Sequence, residues 1–222
     1  MRTCNAGALT ESPVGPLSPF AEPPTLDPAL NLEREARYAR EVERPSFRIW
    51  RSRDCVVLGR FLIADEEVRL SVAEELGVPV LRRTSGGGAV FHDPGNVNYS
   101  IYLPEGGAPG FSIEERLRAL SFPVTGLLDL LDARWTWEPP NSIYVDGAKV
   151  SGSAQAASGG RLLHHGTLLV DSDLEKMSRL LKPGGRSRVA PVLNLSDIMD
   201  GLTVGEAERL LHSVLAGRGP SR

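Results

Sequence analysis

Two stretches of this sequence carry residue types that can act on acyl or phosphoryl groups: a run from Arg82 to Asn96, RRTSGGGAVFHDPGN, and Lys149, two residues beyond an Asp146-Gly147 pair. Consecutive glycines expose backbone N–H groups with no Cβ in the way, which suits close contact with a phosphate or a slender acyl chain. Arg82 and Arg83 enter the run, and a guanidinium can grip phosphate oxygens through a planar fork that lysine lacks. His92 to Asn96 closes it with turn-forming residues. Neither the Walker nor the Rossmann glycine spacing is present, so three glycines by themselves fit a plain surface loop equally well. If Asp146-Gly147 is a two-residue turn, Val145 pairs with Ala148 and Tyr144 with Lys149. Ile143, Val145, Ala148 and Val150 then share one face and Lys149 takes the other. An exposed hairpin lysine is the ordinary outcome of that geometry.

The flanking residues tip the balance. The whole Arg82–Asn96 segment resembles the signature of lipoate protein ligase A enzymes, in the superfamily that includes biotin ligases and octanoyltransferases. Trp50 to Arg60 is similar to the family's strand leading to a Gly-Arg pair, here Gly59-Arg60. Gly147 to Gln155, GAKVSGSAQ, resembles its catalytic lysine motif, and His164 to Leu169, HHGTLL, its next strand. Arg186 to Val189 with Asn194-Leu195 resembles the end of the catalytic domain.

The resemblance implies a biotin/lipoyl protein ligase-like fold and a two-step reaction. Lipoate or octanoate is activated by ATP to acyl-AMP, and the acyl group passes to a lysine of a lipoyl domain. It implies Lys149 as the catalytic cation, without a covalent intermediate, because both steps build negative charge on oxygens that a fixed ammonium can stabilise. It also implies that Arg83, Ser85, Gly86, Gly87, Gly88, Ala89, Val90, Phe91, His92, Asn96, Gly152, His165, Gly166 and Thr167 surround the ligand. ATP and Mg²⁺ are the expected cofactors. The expected partners are lipoyl domains of 2-oxoacid dehydrogenase E2 subunits or the glycine cleavage H protein. Some ligases lacking a small C-terminal accessory domain need a separate subunit, and this chain has no room for that domain before Arg222.

Two alternatives stay open. Octanoyltransferases and amidotransferases of the superfamily carry the acyl group on cysteine, but neither Trp137–Ser142 nor Lys182–Gly184, where theirs lie, contains one. A non-catalytic acyl-binding accessory protein is the other, given Leu62 where the ligases commonly have glutamine and Ser142 where they usually have aspartate. The adjacent His164 and His165 point to opposite faces of a strand and cannot converge on one metal ion. No G-x-S-x-G elbow marks a hydrolase.

The elements that must position these residues follow from period and punctuation. Asp27-Pro28 starts a helix with an apolar stripe at Ala29, Leu32, Ala36, Ala39 and Val42. Phe47–Trp50, Cys55–Leu58 and Val78–Leu81 read as strands, with a helix from about Glu66 ended by Gly77. Val97, Tyr99, Ile101 and Leu103 alternate with polar residues as in a half-buried strand. Ser112 and Ser172 each open a capping-box spacing; the first predicts a helix toward Leu131 interrupted at Pro123, the second a helix along Leu174, Met177 and Leu181. Trp135–Trp137 is a strand, Ser158-Gly159-Gly160 turns a second hairpin, and Gly201–Leu215 a last helix. Without a steady βαβ rhythm this is an α/β (α+β) chain of mixed β-sheets flanked by helices.

With 222 residues, one domain is expected. Six of the 17 prolines fall in the first 28 residues, so 1–26 is expected to be a flexible extension, 27–216 the catalytic domain and 217–222 a tail. A net charge of −3 and a pI near 5.9 argue against a nucleic-acid partner. Two cysteines, Cys4 and Cys55, support no disulfide framework, and no membrane span or signal peptide is apparent, so a reducing cytoplasmic setting is expected.

Overall fold

A computed structural model describes residues 12–183 and 191–217. Along the chain run β1 (Ser18–Pro19), α1 (Pro28–Glu41), β2 (Ser46–Trp50), β3 (Cys55–Leu58), α2 (Ala64–Glu67), α3 (Leu70–Glu75), β4 (Val80–Arg82), β5 (Val90–His92), β6 (Asn96–Leu103), α4 (Ile113–Ala119), α5 (Phe122–Leu130), β7 (Trp135–Glu138), β8 (Ser142–Val145), β9 (Ala148–Ser158), β10 (Arg161–Leu169), α6 (Leu174–Leu180) and α7 (Val204–Leu215). Seven strands form one sheet in the order β1-β2-β6-β10-β9-β8-β7, and three form a second, β4-β3-β5. Both are mixed: β1–β2 and β3–β4 are parallel, their other pairings antiparallel. This is the expected class of mixed sheets flanked by helices.

Residue parity divides the large sheet. Phe47, Val97, Tyr99, Ile101, Leu103, Leu162 and Leu168 bury one face in a core completed by α5 and α7 through Leu127, Leu128, Leu211 and Val214. On the opposite face α1 lays Tyr38 and Val42 against Tyr102 and Leu163. Every residue of β6 is therefore buried, and the half-buried strand expected there is corrected. Its polar positions Asn98 and Ser100 are roofed by other elements rather than facing water.

Both hairpins turn where predicted. Asp146 and Gly147 have φ of 49° and 78°, and Gly159 and Gly160 of 55° and 74°. Val145 pairs with Ala148 and Tyr144 with Lys149, but an irregularity between Ile143 and Tyr144 sets Ile143 opposite Ser151. Four further expectations needed correction. The deepest positions of α1 are Asn31, Glu35 and Tyr38, while Ala29 is exposed, because the helix turns a hydrogen-bonding edge toward the sheet. The helix near Glu66 is two helices, split where Val68 bridges Leu181. Asp173, whose carboxylate accepts from the Lys176 amide at 2.8 Å, caps α6 in place of Ser172.

The fourth concerns the N-terminal extension. Leu17 is buried in the main core, β1 pairs with β2, and Phe20 stacks on Tyr38 with ring centroids 4.0 Å apart. This segment docks through isolated residues and so shows no period. Residues 1–11, the motif Arg186–Val189 and the tail 218–222 lie outside the described residues.

Candidate active site

The second face of the large sheet carries a row of residues aligned straight across five strands. Trp50 pairs with Asn98, Asn98 with Thr167, Thr167 with Gly152, and Gly152 with Ser142. All five floor a cavity of about 670 Å³. The next row over, Arg48, Ser100, His165 and Ala154, runs parallel to it. Above Ala154 lies the glycine loop, for a Cβ added at Gly87 would sit 3.7 Å from the Ala154 side chain. Gly87, at φ 88°, occupies the left-handed region that glycine tolerates best. α1 contributes Leu32 and Glu35 to the wall, and the segment Glu138–Asn141 closes the far end.

Arg83 organises the loop from beneath. Its Nη2 donates to the carbonyls of Gly86 and Gly88 at 2.7 and 2.8 Å, its Nη1 to Val57 O, and its Nε to Ser85 Oγ at 2.9 Å. Burial pulls the guanidinium down to about 10, with the Glu35 charge acting the other way. Arg82 instead spends Nη1 on the carbonyls of Gly59, Arg60 and Leu62, which ties the loop's entry to the β3 exit.

From Ser85 a buried chain of hydrogen bonds continues across the site. Ser85 Oγ lies 2.6 Å from His165 Nε2, and His165 Nδ1 lies 2.9 Å from Glu35 Oε2. Glu35 Oε1 accepts from Ser100 Oγ at 2.6 Å. Burial alone would raise the Glu35 carboxyl, but the charge and hydrogen bond of His165, the Ser100 hydroxyl and Arg48 outweigh it and hold the group below the ordinary carboxylate range. Glu35 Oε2 accepts from the Nδ1–H of His165, and the Ser85 hydroxyl, beside His165 Nε2, accepts from Arg83 Nε; these proton positions follow from the network.

Lys149 sits on β9 beside Gly152. A Cβ at Gly152 would come within 3.0 Å of the lysine Nζ, so the glycine makes room for the ammonium. Among the described residues no carboxylate lies within ion-pair distance of that nitrogen, and burial lowers its pKa. A second cavity of about 330 Å³ adjoins, and its described lining includes Phe91, Met177, Leu181 and Pro183. Ala89, Val90, Lys149, Gly152 and Thr167 line both.

Of the residues predicted to surround a ligand, Arg83, Gly87, Gly88, His92, His165 and Gly166 line the larger cavity and Phe91 the smaller. Ser85, Gly86 and Asn96 line neither: Ser85 and Gly86 bond to Arg83, and Asn96 donates to Asn98 Oδ1. Gly166 is glycine because Tyr99 fills the space a Cβ would need. His164 turns the other way, between Tyr99 and Gln155, and burial drives it down to about 3. Leu62 is core, whereas Ser142 is on the cavity floor. Sequence reasoning missed Leu32, Glu35, Trp50 and Asn98. The available signal was Glu35, a carboxylate on the line of the helix that Tyr38 and Val42 bury.

Comparison with known proteins bears on the family. Residues 27–216 match the model of the lipoyl protein ligase A/B catalytic domain. Lipoate-protein ligase LplJ of Bacillus subtilis is 32% identical over 184 residues, covering 78% of this chain and 54% of its own length. The chain thus spans about half the length of that relative. A structure described as a bi-partite lipoate protein ligase and its E2 lipoyl domain from Thermoplasma acidophilum superposes with a TM-score of 0.78 at 26% identity, over 91% of this chain and 82% of that one. A lipoate-protein ligase A bound with ATP gives 0.79 at 25% identity, over 91% and 85%. With the glycine loop, the lysine hairpin and the cross-sheet floor in one site, the chain belongs to the lipoyl protein ligase A/B catalytic domain family.

Proposed function

We propose that this chain activates lipoate with ATP, releasing pyrophosphate, and transfers the lipoyl group from lipoyl-AMP to a lysine of a lipoyl domain. The observation that carries the reading is the position of Lys149, which among the described residues is the one cation on the walls of both cavities. The larger cavity suits an acyl chain lying along the cross-sheet row toward Trp50. The smaller, between Val90, Phe91, Met177 and Leu181, suits the flat apolar face of a purine. The bond between acyl carboxylate and α-phosphate then falls where the cavities share Lys149 and Gly152.

In the first step a carboxylate oxygen attacks the α-phosphorus and pyrophosphate leaves. In the second, the acceptor amine attacks the acyl carbonyl, AMP departs and the amine loses a proton. Negative charge builds on oxygens beside Lys149 in both, and a fixed ammonium in a water-poor site stabilises it without reorganising. Arg83 serves by holding the loop that roofs the chain. Mg²⁺ would neutralise the triphosphate. Glu114 and Glu138 on the cavity wall fit such an ion, which takes one or two carboxylates plus phosphate oxygens rather than a protein cage.

The cysteine route finds no support: Cys55 is buried, lines neither cavity, and burial pushes its thiol up to about 11. The E2 lipoyl domain, named for the archaeal relative, is the favoured acceptor, with the glycine cleavage H protein second and the cytoplasm the proposed setting.

The test is to mix the chain with apo lipoyl domain and read the acceptor's mass after supplying either lipoate with Mg-ATP or octanoyl carrier protein. ATP-dependent lipoylation is expected, and ATP-independent octanoylation would overturn the reading. Transfer from preformed lipoyl-AMP but not from ATP would assign adenylation to a separate subunit. Lys149→Ala should abolish both half-reactions; near-normal transfer from lipoyl-AMP by that variant would contradict the role given to Lys149. Because the pKa of Lys149 is lowered, its ammonium is lost earlier than usual as pH rises, so the alkaline limb of the rate profile should lie below 10.5.

A further inference from the structure

The smaller cavity lies between two walls that share one support. Ala89, Val90 and Phe91 form one wall, and Met177, Ser178 and Leu181, from α6 and its C-cap, form the other. α6 has seven residues, fewer than a helix needs to persist alone in water. Leu180 is its one fully buried residue, so polar ties at its ends must help to place it. At its start the Asp173 amide donates to Asp93 Oδ2 at 2.6 Å, and Lys176 Nζ donates to Asp54 Oδ2 at 2.8 Å.

The last four carbonyls of a helix have no partner within it. A left-handed residue often answers them, but the C-cap Leu181 is extended. The Leu181 amide donates to Met177 O at 3.0 Å, and the other three carbonyls all accept from Arg69. Its Nη1 donates to Ser178 O and Arg179 O at 3.0 and 3.2 Å, and also to Leu181 O at 2.6 Å. Its own amide donates to Leu180 O at 2.8 Å. The guanidinium charge faces the negative end of the helix dipole. Arg69 also lines the smaller cavity.

The glycine loop hangs from the same segment. Arg82 clasps the carbonyls of Gly59, Arg60 and Leu62, and the chain then runs through α2 to Val68, which bridges Leu181, and to Arg69. Glu67 O accepts from the Lys182 amide at 2.8 Å. Residues 59–69 therefore set the separation of the two walls. We propose that Arg69 is a positioning residue for the nucleotide half of the site, holding α6 at the distance from the glycine loop that admits a purine. This rests on the purine seat given above, and goes beyond it by naming what fixes the cavity's far wall.

The test compares the full chain with Arg69→Met, which keeps an unbranched stem without donors, and with Arg69→Lys. All three side-chain bonds leave from one nitrogen, so an ammonium with its three donors can restore them. Steady-state acylation of a lipoyl domain gives KM for ATP and for lipoate, and calorimetry gives the affinity of a non-hydrolysable ATP analogue with Mg²⁺. In Arg69→Met the KM for ATP should rise about tenfold while that for lipoate stays within about twofold of the parent, because a misplaced wall affects the ligand it faces. Arg69→Lys should bring the KM for ATP back to within about threefold of the parent. Partial misfolding lowers the amount of active enzyme but leaves both KM values in place.

Unchanged ATP values in Arg69→Met, an equal rise in both KM values, or a lysine variant as impaired as the methionine one would overturn the proposal. The last would mean that the guanidinium touches the nucleotide itself. Unchanged ATP values beside ATP-dependent lipoylation by the parent would leave the proposed function standing. Weaker analogue binding in Arg69→Met, rescued by lysine, without any lipoylation by the parent would do the reverse. A parent chain that binds no ATP analogue would overturn both.

Discussion

At Glu35 a single carboxylate organises the polar half of the site without belonging to either recognised motif. It fixes His165, His165 fixes Ser85, and Ser85 joins Arg83 in holding the glycine loop. Glu35→Gln keeps the shape but removes the carboxylate charge that holds His165 Nδ1–H, so the imidazole loses its orienting partner. We expect kcat/KM for acylation to fall about 10–100-fold, as when an orienting partner of a site histidine is lost. Steady-state kinetics beside a thermal melt check this, and a variant within about twofold of the parent would show that the relay is packing only. The burial of Glu35 left a signal on its helix, but its role did not, because its partners stand 65 and 130 residues away, on β6 and β10. Lys149 was legible because its environment is local: Asp146-Gly147 on one side, Gly152 on the other.

Among the elements, the glycine loop depends on its neighbour as much as on its own glycines. A Cβ at Gly59 would overlap the Gly87 carbonyl, backbone against backbone, so β3 and the loop touch with no room between them. Arg60 N donates to Ser85 O at 2.8 Å and the Arg82 guanidinium clasps the Gly59 carbonyl, so relief by drifting apart would break both bonds. Gly59→Ala should therefore displace the loop, at about 1–3 kcal/mol as for other overpacked positions. At about 2–4 °C of Tm for each kcal/mol in a chain of this size, a melt would detect it, together with weaker binding of acyl ligand and ATP. A Tm within about 1 °C of the parent, with ligand affinities unchanged, would show that β3 can yield.

Across the whole molecule, burial of two neutral histidines ties stability to pH. His92 and His164 are held near 3, far below the ordinary 6.5. Between those values the unfolded chain binds two more protons at these positions than the native one, so stability is lost as pH falls from 6.5 toward 3. Each contributes a slope of up to about 1.4 kcal/mol per pH unit. Glu35, held low, acts in the same direction at the acid end, while Asp93, raised mainly by burial, opposes it. Chemical denaturation from pH 7 to 4 should show the decline, and His164→Gln should flatten it. A profile unchanged by that substitution would mean that His164 is not buried neutral.

The sequence by itself determined the local units: both hairpins and their turns, the capped start of α4, the glycine run and the lysine motif that mark the family. Turns, caps and motifs are contacts between residues near in the chain, so their chemistry is written in order. Only the tertiary structure decided which face of α1 is buried, that β6 is covered on both sides, and that Leu17 and Phe20 belong to the core. It alone aligned Trp50, Asn98, Thr167, Gly152 and Ser142 into one floor. Cross-strand register couples residues tens of positions apart, and no spacing within the chain records it.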